Sequence, residues 1–152
     1  MHRNHRSRSK RGALLIEFAL AITILILTVF SMIEVMLMVY TYNVMADAAK
    51  EGVRYACVRG AYSGLAIGPS AAPGGGSSCS TNTGPVYTQI QKFTSMSLHD
   101  NSGISVTVCY LDGSNKPPSR VQVNISYPVV PYVALPWTPP TVVAQAQGNI
   151  VY

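Results

Sequence analysis
Apolar residues along this chain fall into three patterns, and each predicts a different element. From Phe18 to Ile33 sixteen successive residues carry no charge. Ala13–Ile16 before them and Val35–Val39 after them lengthen the run past the ~20 residues that cross a bilayer as a helix. The second pattern, NVMADAAKEGVRYACV from Asn43 to Val58, is Ala-rich and free of proline, with Asp47–Lys50 and Glu51–Arg54 spaced to pair at i,i+3. It predicts that the helix continues past the membrane surface to a C-cap at Gly60. One rod from Ala13 to Arg59 is about 70 Å long at 1.5 Å per residue, with 13–40 in lipid and 41–60 outside it. The third pattern is strict alternation. Ile104, Val106, Val108 and Tyr110 share one face, as do Val121, Val123, Ile125 and Tyr127, and again Val142, Ala144, Ala146, Ile150 and Tyr152. This period predicts half-buried antiparallel strands over Ile104–Tyr110, Arg120–Tyr127 and Thr141–Tyr152.

The segments between them are read from composition. Ala61–Thr83, containing GPSAAPGGGSSCSTN, is low in charge and predicts a flexible loop over 61–85. Its glycines are no phosphate cradle, since no Gly-Lys-Ser/Thr follows them. Pro85 opens a short helix whose apolar face is Val86, Ile90, Phe93 and Leu98. Asp112-Gly113 starts the link between the first two strands, and Lys116-Pro117-Pro118 makes it longer than a tight hairpin. The economical arrangement is α+β: the long N-terminal helix runs into a small domain, 86–152, where a helix covers one face of a three-stranded antiparallel sheet. The link PVVPYVALPWTPP, Pro128–Pro140, is unusually apolar. Tyr132 and Trp137 are expected to close the open end of their own core, ahead of a place at the membrane interface or against a neighbouring subunit.

Charge sets the topology. The chain has 11 Lys and Arg against 6 Asp and Glu, and five of the basic residues (Arg3, Arg6, Arg8, Lys10 and Arg11) precede Gly12. Residues 1–12 therefore read as a basic cytoplasmic leader, and the rest of the chain is sent outward. The apolar run is too long for a removable secretory signal. The tail lacks aromatic interleaving and abuts a span, so anionic headgroups, not nucleic acid, are its expected contact.

One residue breaks the apolar pattern near its start. Glu17 stands five positions past Gly12, where a carboxylate costs about 2.5–3.5 kcal/mol on insertion scales. Cleavage after Gly12 would remove the leader and expose an α-amino group on Ala13, about 6 Å below Glu17 along the helix. Between neighbouring chains staggered by about a turn, that amine meets the carboxylate of the next, so Glu17 fixes register more than it adds stability. Glu34, at the outer end, can instead snorkel to the headgroups. Higher up, Ala48, Gly52 and Ala56 repeat every fourth position. They permit close approach of another helix, or of the chain's own sheet; both readings stand at this level.

Candidate chemistry is sparse. Cys57, Cys79 and Cys109 form no CxxC pair and no metal-ligand spacing with histidine, so no metal or cofactor is expected. In an oxidising compartment one disulfide with one thiol left over is expected. Cys79, in the loop, reaches either Cys109 or Cys57, with Cys79–Cys109 preferred because Cys57 and Cys109 lie on opposite sides of the sheet. His2 and His5 belong to the leader. His99-Asp100 has no identifiable nucleophile beside it, and a non-enzymatic protein is expected over a hydrolase anchored to the membrane.

Gly-x-x-x-x-Glu-Phe after a basic leader, here Gly12 to Glu17-Phe18, resembles the processing motif of type IV pilin-like proteins. More narrowly, RGALLIEFAL and IEVMLMVYTYNVMADAAKEGVRYACVRG resemble the TadE-like proteins of the tight-adherence (Flp) pilus system, and the late VQVNISYPVVP is similar to that family's strand and apolar link. The resemblance implies a pilin-like fold and cleavage between Gly12 and Ala13 by a prepilin-type peptidase. It also implies Glu17 and Phe18 in assembly contacts, other pilins or pseudopilins as partners, and a minor pilin or pseudopilin in the bacterial inner membrane that can enter a pilus. The competing reading is an uncleaved anchor carrying an external binding module.

Overall fold
The computed structural model describes residues 5–98, 100–129, 131 and 140–152. His99, Tyr132 and Trp137 lie outside the described residues. The long helix, α1, is continuous over His5–Cys57, 53 residues or about 80 Å. It ends before Gly60, which has no left-handed backbone and is not the C-cap expected from sequence.

Four strands follow, not three. β1 (Ser78–Thr81), β2 (Ser105–Tyr110), β3 (Arg120–Pro128) and β4 (Thr141–Asn149) form an antiparallel sheet in the order β1-β2-β3-β4. The fold class is the α+β arrangement expected, enlarged by one strand. β1 escaped the sequence reading because SCST, short and fully exposed, lacks the apolar alternation that betrays a strand. Asn82 holds its end: the backbone N–H donates to Val106 O and Oδ1 accepts from Val106 N–H, both at 2.8 Å.

The alternating strand residues face as their spacing requires. Val106, Val108, Tyr110, Val121, Val123, Ile125, Tyr127, Val142 and Ala144 are buried. Tyr152 is the exception, because β4 stops at Asn149 and leaves this side chain exposed. The second helix, α2 (Gly84–Ser97), buries Val86, Ile90 and Thr94. Phe93 and Leu98 are only partly buried, and Leu98 caps the helix instead of belonging to it. Thr94 belongs in an apolar face because its Oγ1 donates to Ile90 O at 3.0 Å, satisfying the hydroxyl locally.

What joins rod and sheet is a stripe on α1 beginning at Glu34. Met45, Ala48, Ala49, Val53 and Ala56 are buried in one core with the sheet residues, and Met38 packs against it. Gly52 is the point of closest approach to α2: an added Cβ would lie 2.6 Å from Ile90 Cδ1.

The Gly/Ser/Pro segment is anchored along its length. Asn115 N–H donates to Pro69 O (2.8 Å), Asn115 Nδ2 to Ile67 O (3.0 Å), Ser114 Oγ to Ala71 O (2.7 Å) and Gly74 N–H to Asp112 O (3.0 Å). Its backbone groups are thus satisfied by the β2–β3 link, a long-range partner that composition does not reveal. That link is itself closed by Arg120, whose Nη2 and Nε donate to the two Asp112 carboxylate oxygens at 2.9 and 3.2 Å. The hydrogen bonds from Arg120 hold the Asp112 carboxyl below its ordinary value of 3.8. A depressed folded pKa gives stability that is present above the unfolded value and lost as pH falls through the folded one. Asp112→Asn is therefore expected to flatten the acid limb of a melting profile below pH 3.8 and to leave its neutral part shifted by no more than an exposed pair allows. An unchanged acid limb would contradict this.

Candidate functional site
The N-terminal half of α1 leaves its apolar surface uncovered. Every residue from Gly12 to Ile33 is exposed, and Leu14, Leu15, Ile16 and Phe18 are each more than 60% exposed. The helix is long and apolar enough to cross a membrane, with mean hydropathy 2.6 over its most apolar window and none of that window buried by the rest of the chain. Its hydroxyls are satisfied within the helix. Thr23 Oγ1 donates to Ala19 O and Thr28 Oγ1 to Ile24 O, each at 2.8 Å, and Ser31 Oγ donates to Leu27 O at 2.9 Å. These bonds make three polar residues compatible with lipid.

Glu17 has no such solution. Its carboxylate is the one ionisable group between Gly12 and Glu34, and among the described residues nothing pairs with it. Gly12 is in helix and exposed, and a Cβ built on it meets nothing within 4 Å. Ala13 and Phe18 are likewise exposed. The four residues Gly12, Ala13, Glu17 and Phe18 thus lie within about two turns of a surface that this chain leaves for something else.

Glu34 does not stand free toward lipid. It lines a cavity of about 270 Å³ with Leu37, Tyr40, Thr41, Ser97, Leu98, Asp100, Tyr127, Val129 and Pro131. Tyr40 Oη donates to Ser97 O (3.0 Å), tying the underside of the domain to the rod, and Tyr127 Oη donates to Asp100 O (3.1 Å) within the domain. Glu34 thus meets the chain's own domain as well as lying at the outer end of the apolar run. Glu34, Leu37, Met38, Thr41 and Met45 continue as a 3.6-residue stripe into Ala48, Gly52 and Ala56; this period was present in the sequence from Glu34 onward, though only its small members were singled out there.

Those small residues are used inside the molecule. Ala48 and Ala56 are 0% and 1% exposed and Gly52 is buried under α2, so their faces are closed to a second molecule. Of the two readings of this stripe, the structure takes packing against the chain's own sheet and α2.

The structure joins Cys79 to Cys109 by a disulfide. They face each other across the β1–β2 ladder with Cα atoms 4.0 Å apart. Thr81 and Thr107 meet two residues along at 3.1 Å. Cys57 is a free thiol, and burial raises its pKa, which lowers its reactivity. Nearby, burial first and the Cys57 charge second push the Tyr110 phenol up to about 12. Among the described residues no three His, Cys, Asp or Glu side chains converge as a metal site.

A rod apolar and uncovered below, packed on a sheet above, and marked by a lone carboxylate just past a glycine defines a helix–sheet protein with one helix, among the described residues, long and apolar enough to cross a membrane. Residues 12–54 match the family model of TadE-like protein, so the resemblance carried by RGALLIEFAL and the residues after it holds over this segment. Neither the characterised proteins nor the solved structures give a match.

Proposed function
We propose that this protein is a minor pilin or pseudopilin of a tight-adherence pilus, cut after Gly12 by a prepilin-type peptidase and docked to other pilins through the lower half of α1. The observation that carries the reading is Glu17, a carboxylate without a partner among the described residues, on a helix surface that those residues leave open. Burying that charge in lipid alone is unfavourable, and an α-amino group freed at Ala13 is a cation of the right sign at the right depth. The leader stays on the cytoplasmic side of the inner membrane and the sheet domain lies outside it. The TadE-like match covers the segment that carries the cleavage site, the carboxylate and most of the rod. The protein's work is to assemble with partner helices, with no catalysis of its own.

The N-terminus of the mature chain decides the matter. Sequencing or intact mass is expected to find Ala13 first; a chain that keeps its basic leader overturns the reading and favours an uncleaved anchor. Replacement of Glu17 by alanine is expected to leave membrane insertion intact. Recovery of partner pilins by crosslinking should fall by at least about a hundredfold, since an orphaned buried charge costs about 3–5 kcal/mol. Wild-type crosslinking in that variant counts against the register role.

A further inference from the structure
Among the described residues nothing pairs with either edge of the sheet. Asn82 N–H bonds to Val106 O and Leu111 N–H to Arg120 O, so even-numbered residues of β2 pair with β1 and odd-numbered ones with β3. Carried across the ladders, this alternation leaves the N–H and C=O groups of Cys79 and Thr81 pointing away from the sheet at one edge. Those of Val143, Gln145 and Gln147 point away at the other. Edge strands are ordinarily guarded by lysine, proline or a bulge. β4, TVVAQAQGN, and β1, SCST, contain neither a charge nor a proline, and β4 pairs with β3 without interruption over nine residues.

The anchor restricts what can pair with these edges. β4 climbs the rod: Val142 is opposite Tyr127, which shares a cavity with Glu34 and Leu37, while a Cβ on Gly148 would meet Val53 at 2.6 Å and Cys57 at 2.9 Å. Two upright copies in one membrane therefore cannot join β4 to β4 antiparallel, because one anchor would point out of the bilayer. With four antiparallel strands, however, β1 descends where β4 ascends. An upright neighbour thus offers β1 to β4 in the antiparallel sense. No charge opposes the contact on either edge, and the uncharged outer row of Thr81, Thr107, Asn124 and Gln145 continues across the join.

We infer that the occupant of the β4 edge is the β1 edge of a second copy of this chain, so that upright neighbours extend one sheet along the membrane surface. The contact is heterologous and does not close on itself, which allows a row. Four strands at about 4.8 Å set neighbouring domains about 19 Å apart. Helices in contact lie 8–10 Å apart, so one further helix fits between two anchors joined this way. The partner of Glu17 is then that intervening helix and not the sheet-linked copy. The inference rests on the shared anchorage proposed above and not on cleavage.

The test uses full-length protein, mixed from nitrogen-14 and nitrogen-15 preparations, in vesicles of phosphatidylethanolamine and phosphatidylglycerol. Val143, 59% exposed on β4, is replaced by p-benzoylphenylalanine and irradiated. The expected product is a mixed-isotope dimer crosslinked to the peptide that contains Ser78–Thr81. Gln145→Pro removes an outward N–H and no ladder hydrogen bond, and Gln145→Lys adds a guarding charge without touching the backbone. Each is expected to lower the dimer about tenfold with the melting temperature of the domain kept. Gly12→Val, which blocks processing, keeps the crosslink. No dimer, a crosslink to another segment, or a dimer indifferent to Gln145→Lys overturns the inference, whatever the state of the N-terminus.

Discussion
Changing Gly12 to valine is expected to leave the whole population at precursor length, with the mass of residues 1–12 still attached. The fold gives valine no reason to harm the protein. Gly12 is exposed, nothing lies within 4 Å of the new Cβ, and valine is a better helix former than glycine by a few tenths of a kcal/mol. The effect comes from cleavage itself. A peptidase must bring its catalytic groups against the backbone on both sides of the bond, and the helix there must open. Glycine offers an unshielded carbonyl and weakens the local helix by about 0.5–1 kcal/mol, and valine removes both advantages. Intact mass of wild type and variant, expressed with and without the peptidase, measures the result. A variant trimmed as fully as wild type would show that the bond is cut elsewhere or by an enzyme indifferent to this residue.

Gly60→Ala is expected to cause a large loss of stability. A Cβ at Gly60 would collide with Tyr152 O and Ile150 Cγ2 and lie 2.7 Å from Asn115 O. Asn115 O is a backbone carbonyl with no rotamer to yield and Ile150 is a buried side chain, and both belong to segments that are themselves tied down. Ala61 N–H donates to Asn115 O (2.9 Å), Val151 N–H to Cys57 O (3.1 Å) and Ile150 N–H to Ser119 O (2.9 Å). Relief requires the end of α1, the C-terminal segment and the β2–β3 link to part together. Overpacking of this kind costs about 3 kcal/mol, or roughly 10–20 °C in Tm for a domain of this size. Gly64→Ala, where a Cβ meets nothing within 4 Å, is the matched control, expected within about 0.5 kcal/mol of wild type. Equal melting temperatures for the two variants, followed by circular dichroism in detergent, would mean that the convergence at Gly60 is not tight.

How much of this molecule was legible in its residues depends on the range of the interaction that fixes each part. The rod and the apolar face of α2 follow from local spacing. So do the buried rows Val106–Tyr110, Val121–Tyr127 and Val142–Ala144, because a period of two or 3.6 is written into neighbouring residues. The open apolar surface and the carboxylate inside it are equally local: a run without charges needs no fold to be seen. β1 was not legible. Its four residues carry no apolar alternation and become a strand only because β2 and Asn82 supply the hydrogen bonds. The anchoring of the Gly/Ser/Pro segment was hidden for the same reason, since Ser114 and Asn115 reach it from more than forty residues away.

The sequence by itself determined the long apolar helix, the position of Gly12 and Glu17 on it, and the α+β class, all of which rest on hydrophobic periodicity within a few turns. Only the tertiary structure decided the fate of Ala48, Gly52 and Ala56. A stripe of small residues is equally suited to a neighbour's helix or to the chain's own sheet, and chain connectivity brings the sheet first. It alone decided that Glu34 faces its own domain. It also set the directions in which the two open edges run, because strand order and ladder polarity are fixed by pairings between distant segments.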